Sequence, residues 1–236
     1  MDRHLDTLET LEFDLGQKWA KGLRIRFHTQ EESSQLDFSD GERLKQIHSK
    51  KIVDWSHSLA GSEMLEADGF IAKGDSYKRS KRKLYIKTAD CAPLFYIDRE
   101  SECVAALHAG WRGLAQGIHL LPFQRGFNPQ TTWVWCGPCL NGTSFEVGSD
   151  MWSQFSSKDQ NEFFVSKIGQ QTAGDEKKFF NSWNFIEKSL KNLNIELFYN
   201  VEVDTFSHPL YASYRRWKRS GSPGSLQHNY SWISFI

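Results

Sequence analysis

The chain has 236 residues, with 29 basic and 29 acidic side chains and a formal net charge of zero. That length suits one generous domain, and the charge balance offers nothing to attract nucleic acid or an anionic membrane surface. No stretch approaches the roughly 18–20 apolar residues of a membrane span, the polar N-terminus is unlike a signal peptide, and four cysteines are too few for a secreted disulfide framework, so a cytoplasmic location is expected.

Residues 1–20 read as an irregular or partly helical lead-in, and 21–236 as a single domain. Leu23–His28 (LRIRFH) is a strand, followed by a polar loop. Gln46–Val53 (QIHSKKIV) reads as a strand carrying His48. Within the loop Ser56–Asp75, the ADGF segment turns into another short strand. The basic run Lys78–Lys83 reads as a solvated loop. Strands follow at Lys83–Lys87, Leu94–Ile97 and Cys103–Leu107. Gly110–Leu121 turns helical, with Leu114, Ile118 and Leu121 at helical spacing. Thr132–Trp135 is a strand, and Ser149–Phe155 begins a helix with a capping serine. Ser182–Leu193 is the clearest amphipathic helix, with Trp183, Ile186, Leu190 and Leu193 on one face and Ser182 as N-cap. Late strands fall at Ile195–Tyr199 and Ser231–Ile236. Strands and helices that mix without regular βαβ alternation indicate an α+β class with layered sheets.

The chemistry concentrates in Lys87–Gly113, KTADCAPLFYIDRESECVAALHAGWRG. Cys91 sits in a Thr-Ala-Asp-Cys turn and His108 in a His-Ala-Gly-Trp-Arg-Gly turn, each after a short apolar run. Two such runs read as buried strands that deliver a thiolate and an imidazole to one sheet edge. The pair is either part of a metal site or a Cys-His nucleophile. The small residues around His108 leave room beside it. Asp90 reads as a turn former and Trp111 as packing, whereas Glu146 suits either a place near the site or a strand end. His4, His28, His57, His119, His208 and His228 have no evident partner.

Trp135–Cys139 (WCGPC) matches the thioredoxin active-site string, with a lowered thiol pKa expected where such a string opens a helix. Here LNGTSFEVG follows in place of an amphipathic helix, so Cys136 is read as a strand end, and Gly137 and Pro138 as a turn. A reversible disulfide or a second metal site at Cys136 and Cys139 stays open.

The order of motifs (Gln46-x-His48, TADC, HAGWRG, the GP…FEVG segment over Gly137–Gly148, and SYRR at Ser213–Arg216) resembles the laccase-domain family, also called multicopper polyphenol oxidase. That family includes purine nucleoside phosphorylases and peptidoglycan editing factor, and the likeness runs from Leu23 to the C-terminus. It implies a layered α/β/β/α sandwich with mixed sheets. It also implies one zinc bound by His48, Cys91 and His108. Two imidazoles and a thiolate suit zinc and leave a fourth position open, where a bound water would have its pKa lowered to about 7.

The resemblance implies phosphorolysis of adenosine, inosine or methylthioadenosine, or deamination of adenosine, with purine nucleoside and phosphate as small-molecule partners. Cys91, His108 and Arg112 are the expected catalytic residues, and Arg112, Arg215 and Arg216 the expected substrate-binding cations. One alternative is a metal-free Cys-His amide hydrolase acting on a peptidoglycan precursor, with Cys91 as nucleophile and His108 as base. Another is a zinc-stabilised binding protein without activity. Copper-dependent phenol oxidation would need a His-rich cluster that these ligands do not make. The chain departs from the family pattern at Gln30, which stands where an arginine is expected, and at Ser220–Trp232, where the usual Thr-Gly-Arg is missing. Asp204-Thr205 replaces a Cys-Thr pair.

Overall fold

The structure, a computed structural model, describes residues 10–14, 22–55, 64–166 and 177–235. His4, His57, Ile236 and most of the lead-in lie outside the described residues. In chain order the strands are β1 (Thr10–Asp14), β2 (Leu23–His28), β3 (Gly41–Glu42), β4 (Val53–Asp54), β5 (Gly69–Lys73), β6 (Lys83–Thr88), β7 (Ala92–Asp98), β8 (Cys103–Ala109), β9 (Thr132–Cys136), β10 (Glu146–Val147), β11 (Phe164–Ser166), β12 (Lys178–Phe180), β13 (Leu197–Asn200) and β14 (Asn229–Phe235). The helices are α1 (Gln30–Ser34), α2 (Gly74–Ser80), α3 (Trp111–Ala115), α4 (Leu121–Gln124), α5 (Ser149–Trp152), α6 (Ser157–Phe163), α7 (Ser182–Lys191) and α8 (Tyr214–Arg219).

The strands form a first sheet in the order β1-β2-β14-β6-β3, a second in the order β13-β9-β7-β8-β5-β4, and a small third, β10-β12-β11. The two large sheets are mixed: β3 runs parallel to β6, β13 to β9 and β4 to β5, and the other pairings in these sheets are antiparallel.

Period-2 alternation assigns the faces. Leu23, Ile25 and Phe27 of β2 and Leu84 and Ile86 of β6 meet Phe95 and Ile97 of β7 in a core between the large sheets. On the other face of the second sheet, Leu94, Tyr96 and Leu107 pack with Leu114, Ile118, Phe185 and Leu190 from the helical segments. Because that sheet is covered on both faces, β7 and β8 are buried throughout, which explains their unbroken apolar runs. Each fully buried Leu or Phe contributes on the order of 1.5–3 kcal/mol. On the outer face of the first sheet, Glu32 of α1 reaches Arg26 and His28 at 3.7 and 3.9 Å. The α+β layered class with mixed sheets is the observed one.

Several local expectations change. Thr10–Asp14, assigned to the lead-in, pairs with β2 as a strand. Gln46–Val53 is a loop: His48 has φ 58, in the left-handed region a strand cannot accommodate, and only Val53 and Asp54 are extended in a sheet. The basic run belongs to α2 and the start of β6, joined through Lys81. The helical segment after Gly110 breaks at Gly117, where φ is 81. Helix α5 is capped at Gly148 without a side-chain bond, and Asn181 caps α7 while the Ser182 hydroxyl donates to the Leu140 carbonyl at 2.8 Å.

Candidate metal centre

Strand β6 of the first large sheet ends at Thr88 and β7 of the second begins at Ala92, so the TADC turn carries the chain from one sheet to the other. In the β7–β8 ladder Pro93 pairs with His108, which places Cys91 just beyond the sheet edge beside the end of β8. His108 shares parity with Val104 and Ala106, whose side chains face the inter-sheet core. His48 arrives from the loop before β4. The ligand atoms of His48, Cys91 and His108 all lie within 4.8 Å of one another; His48 is exposed, Cys91 half-buried and His108 buried. Zinc bond lengths of about 2.0–2.3 Å put tetrahedral donors roughly 3.3–3.7 Å apart, so the cluster needs little contraction to close on an ion.

Asp68, which the sequence offered only as part of the ADGF turn, organises this cluster. It is 0% exposed. Its Oδ1 receives the His48 N–H at 2.9 Å and faces His108 Nδ1 at 2.8 Å. Its Oδ2 accepts from the Ser49 N–H at 2.6 Å and the Ser49 hydroxyl at 2.8 Å. The His108 N–H also donates to the Asp68 carbonyl, at 2.7 Å. With Nδ1 held by the carboxylate, Nε2 is the nitrogen turned to the cluster. Burial would raise the Asp68 carboxyl, but His108 and Ser49 hold it below its ordinary range. Burial would likewise raise the Cys91 thiol, yet His108 and His48 bring it down to about 6. His108 goes up to about 9, against burial, through the Cys91 thiolate and Asp68.

Gly110 lets the three ligands converge. A Cβ there would lie 3.1 Å from both Cys91 Sγ and the His48 Cδ2. The following residues form α3, which carries Trp111 and Arg112 into the wall of the adjoining cavity.

That cavity has a volume of about 660 Å³ and is lined by the three cluster residues, by Arg112 and Arg215, and by Glu146, Leu114, Phe145 and Met151 among others. The structure thus brings His48, Cys91, His108, Arg112 and Arg215 together. Arg112 stacks over the Trp111 ring at 4.5 Å. Arg215 donates from Nη2 to the Glu146 carbonyl at 2.7 Å, and its backbone N–H donates to Asp90 Oδ2 at 2.6 Å. Arg216 is placed elsewhere. Its guanidinium donates to the carbonyls of Thr205, Phe206, His208 and Tyr211, and it does not line the cavity. Within SYRR, Ser213 caps α8 by accepting from the Arg216 N–H. Asp90 has φ 91 and also accepts from the Thr205 hydroxyl at 2.7 Å, consistent with a turn role.

Cys136 and Cys139 are free and buried, at 0% and 1% exposure. Cys139 Sγ accepts from Trp183 Nε1 at 3.1 Å, and its backbone bridges to Asp204, so no helix follows the WCGPC string.

A layered α+β fold with a two-histidine, one-cysteine cluster at the crossover of its sheets defines the class. The family model described as multi-copper polyphenol oxidoreductase laccase matches residues 24–227, and the chain belongs to that family. A Haemophilus influenzae protein named purine nucleoside phosphorylase is 30% identical over 189 residues, covering 78% of this chain and 72% of the relative. Purine nucleoside phosphorylase YfiH of Escherichia coli is 28% identical over 187 residues, covering 78% and 71%. Among solved structures, a Neisseria meningitidis protein of the DUF152 family superposes with a TM-score of 0.75 at 21% identity, covering 96% of this chain and 99% of that one, which shows the shared fold.

Proposed function

We propose that the chain is a zinc-dependent enzyme of purine nucleosides, acting by phosphorolysis of adenosine, inosine or methylthioadenosine, by adenosine deamination, or by both. The observation that carries this reading is a three-donor cluster with an open side on a cavity of about 660 Å³, a size suited to a small-molecule ligand. The relatives' name, purine nucleoside phosphorylase, supports it.

His48, Cys91 and His108 would hold the ion, and Asp68 keeps His108 Nδ1 occupied so that Nε2 serves as ligand. Bound zinc would supply a Lewis acid for a substrate oxygen and an acidified water. Leu114, Phe145 and Met151 give the cavity an apolar wall suited to a flat base. Arg112, at the exposed rim, and Arg215 are the substrate-binding cations of this proposal, and Arg112 its cationic catalytic group. Arg216 instead braces the loop it is bonded to. The proposal includes a cytoplasmic location.

A second reading has its own observation. Cys91, His108 and Asp68 line up as thiol, imidazole and orienting carboxylate, the arrangement of a Cys-His hydrolase. It would cleave an amide without metal, as in a peptidoglycan precursor.

The deciding experiment is a nucleoside panel with and without phosphate on protein of measured zinc content, read by product identity. Phosphate-dependent base release means phosphorylase, and inosine from adenosine means deaminase. Full nucleoside activity in metal-free protein would overturn the zinc requirement. Metal-free cleavage of a peptidoglycan-precursor amide in place of any nucleoside product would favour the amide hydrolase. Stoichiometric zinc with no product from any nucleoside would leave a zinc-stabilised binding protein.

A further inference from the structure

The cations of the cavity are not equivalent. Arg215 lies among Asp90 and Glu146, which offset its charge. Arg112 is spread over the Trp111 ring at the rim. Lys87 and His228 also line the cavity, and both are half-buried. Among the described residues neither side chain has an ion-pair or hydrogen-bond partner.

They are held together by the first sheet. Lys87 pairs with Tyr230 in the β14–β6 ladder, and His228 precedes Tyr230 by two residues, so both side chains project to one face as diagonal neighbours. Burial, and then repulsion from Lys87, hold the His228 imidazole below its ordinary pKa. Gln46 clamps the strand at this point. Its Nε2 donates to the Lys87 carbonyl at 2.7 Å, and its Oε1 accepts the Lys87 N–H at 2.8 Å. Gln46 lies two residues before His48, so one short segment fixes both Lys87 and a metal ligand. Two basic groups kept side by side, partly desolvated and without an ion-pair partner among the described residues, are relieved by an anion.

We infer that Lys87 and His228 form the oxyanion subsite of this cavity and bind inorganic phosphate as the co-substrate. The inference rests on the nucleoside reading above. In the reaction a phosphate oxygen forms a bond to ribose C1′. The bond from C1′ to the base nitrogen breaks with its electron pair going to the base, and the proton of hydrogen phosphate ends on the base. Lys87 Nζ and a ring N–H of His228 supply hydrogen bonds to the charged phosphate.

The test compares wild type with Lys87→Met and His228→Gln, all zinc-loaded. The expected result is unchanged zinc stoichiometry, a nucleoside KM within about 2-fold, and a phosphate KM raised by about 10-fold or more in each variant, as for loss of one charged hydrogen bond. Lys87→Arg should restore most of the affinity. A phosphate KM unchanged in both variants overturns the subsite. Direct titration with inorganic phosphate, followed by 31P NMR line broadening, keeps the two readings separable. If wild type releases no base, the nucleoside reading fails. Phosphate binding that is weakened in both variants then still sustains the subsite, and binding that is absent in wild type or unaltered in the variants overturns it.

Discussion

Replacing Asp68 with asparagine tests whether the cluster is organised by a carboxylate or merely packed beside one. The substitution keeps shape but turns one acceptor oxygen into a donor NH2. Asp68 accepts from three groups besides His108: the His48 N–H, the Ser49 N–H and the Ser49 hydroxyl. If the amide nitrogen takes the Oδ2 position, it meets the Ser49 N–H head-on, and a buried donor left unsatisfied costs about 1–3 kcal/mol. If it takes the Oδ1 position, it opposes the His48 N–H, and His108 Nδ1 must accept instead of donate. His108 then carries its proton on Nε2, the atom needed for the ion.

Loss of such an outer carboxylate typically weakens metal binding about 10–100-fold. Zinc affinity measured by competition with a calibrated chelator should therefore fall by about that factor in Asp68→Asn. Thermal unfolding of the metal-free variant should show a loss of about 1–3 kcal/mol. Wild-type zinc affinity in a folded Asp68→Asn protein would refute the reasoning, because it would mean that neither the His108 tautomer nor the His48 backbone depends on this carboxylate.

Gly110→Ala places a Cβ 3.1 Å from both Cys91 Sγ and the His48 ring; chelator competition should show weaker zinc binding while apo stability changes by less than about 1 kcal/mol, because the backbone there is extended and unstrained. His119 is buried with both ring nitrogens unpartnered among the described groups, and burial pushes it down to about 4. The unfolded chain thus takes up this proton first as pH falls below about 6.5, and stability present above that pH should decline by about 3 kcal/mol towards pH 4. Urea unfolding against pH should show this slope, and His119→Leu should flatten it. Cys91 is half-buried while Cys103, Cys136 and Cys139 are buried, so mass mapping after brief alkylation of metal-free protein should find the label at Cys91, and prior zinc loading should block it.

Which parts of this site could be read from sequence follows from how each residue is placed. Cys91 and His108 sit at the ends of strands buried on both faces, so an apolar run and a turn announce them. His48 lies in a loop with a left-handed backbone, and its surroundings read as a strand because Ile52 and Val53 supply apolar residues; only the family order of motifs pointed to it. Asp68 was invisible, because a carboxylate in ADGF looks the same whether it turns the chain or accepts from another loop. Arg216 shows the converse. Beside Arg215 in SYRR it reads as a second substrate-binding cation, but the 205–211 loop folds back to surround its guanidinium with carbonyls.

Lys87 and His228 are separated by 141 positions and meet only through strand pairing in the first sheet. No local pattern encodes that meeting. Local sequence therefore records the residues that end strands in this fold, whereas the groups that orient the ligands and those that remain for the substrate come from register and from loops crossing between two sheets. The same division explains why an intact donor set can coexist with an altered pocket. Of the proposed donors, Cys91 is fixed by the crossover, His108 by the end of β8 and His48 by the loop that Asp68 holds, whereas the proposed cations reach the same wall from separate elements.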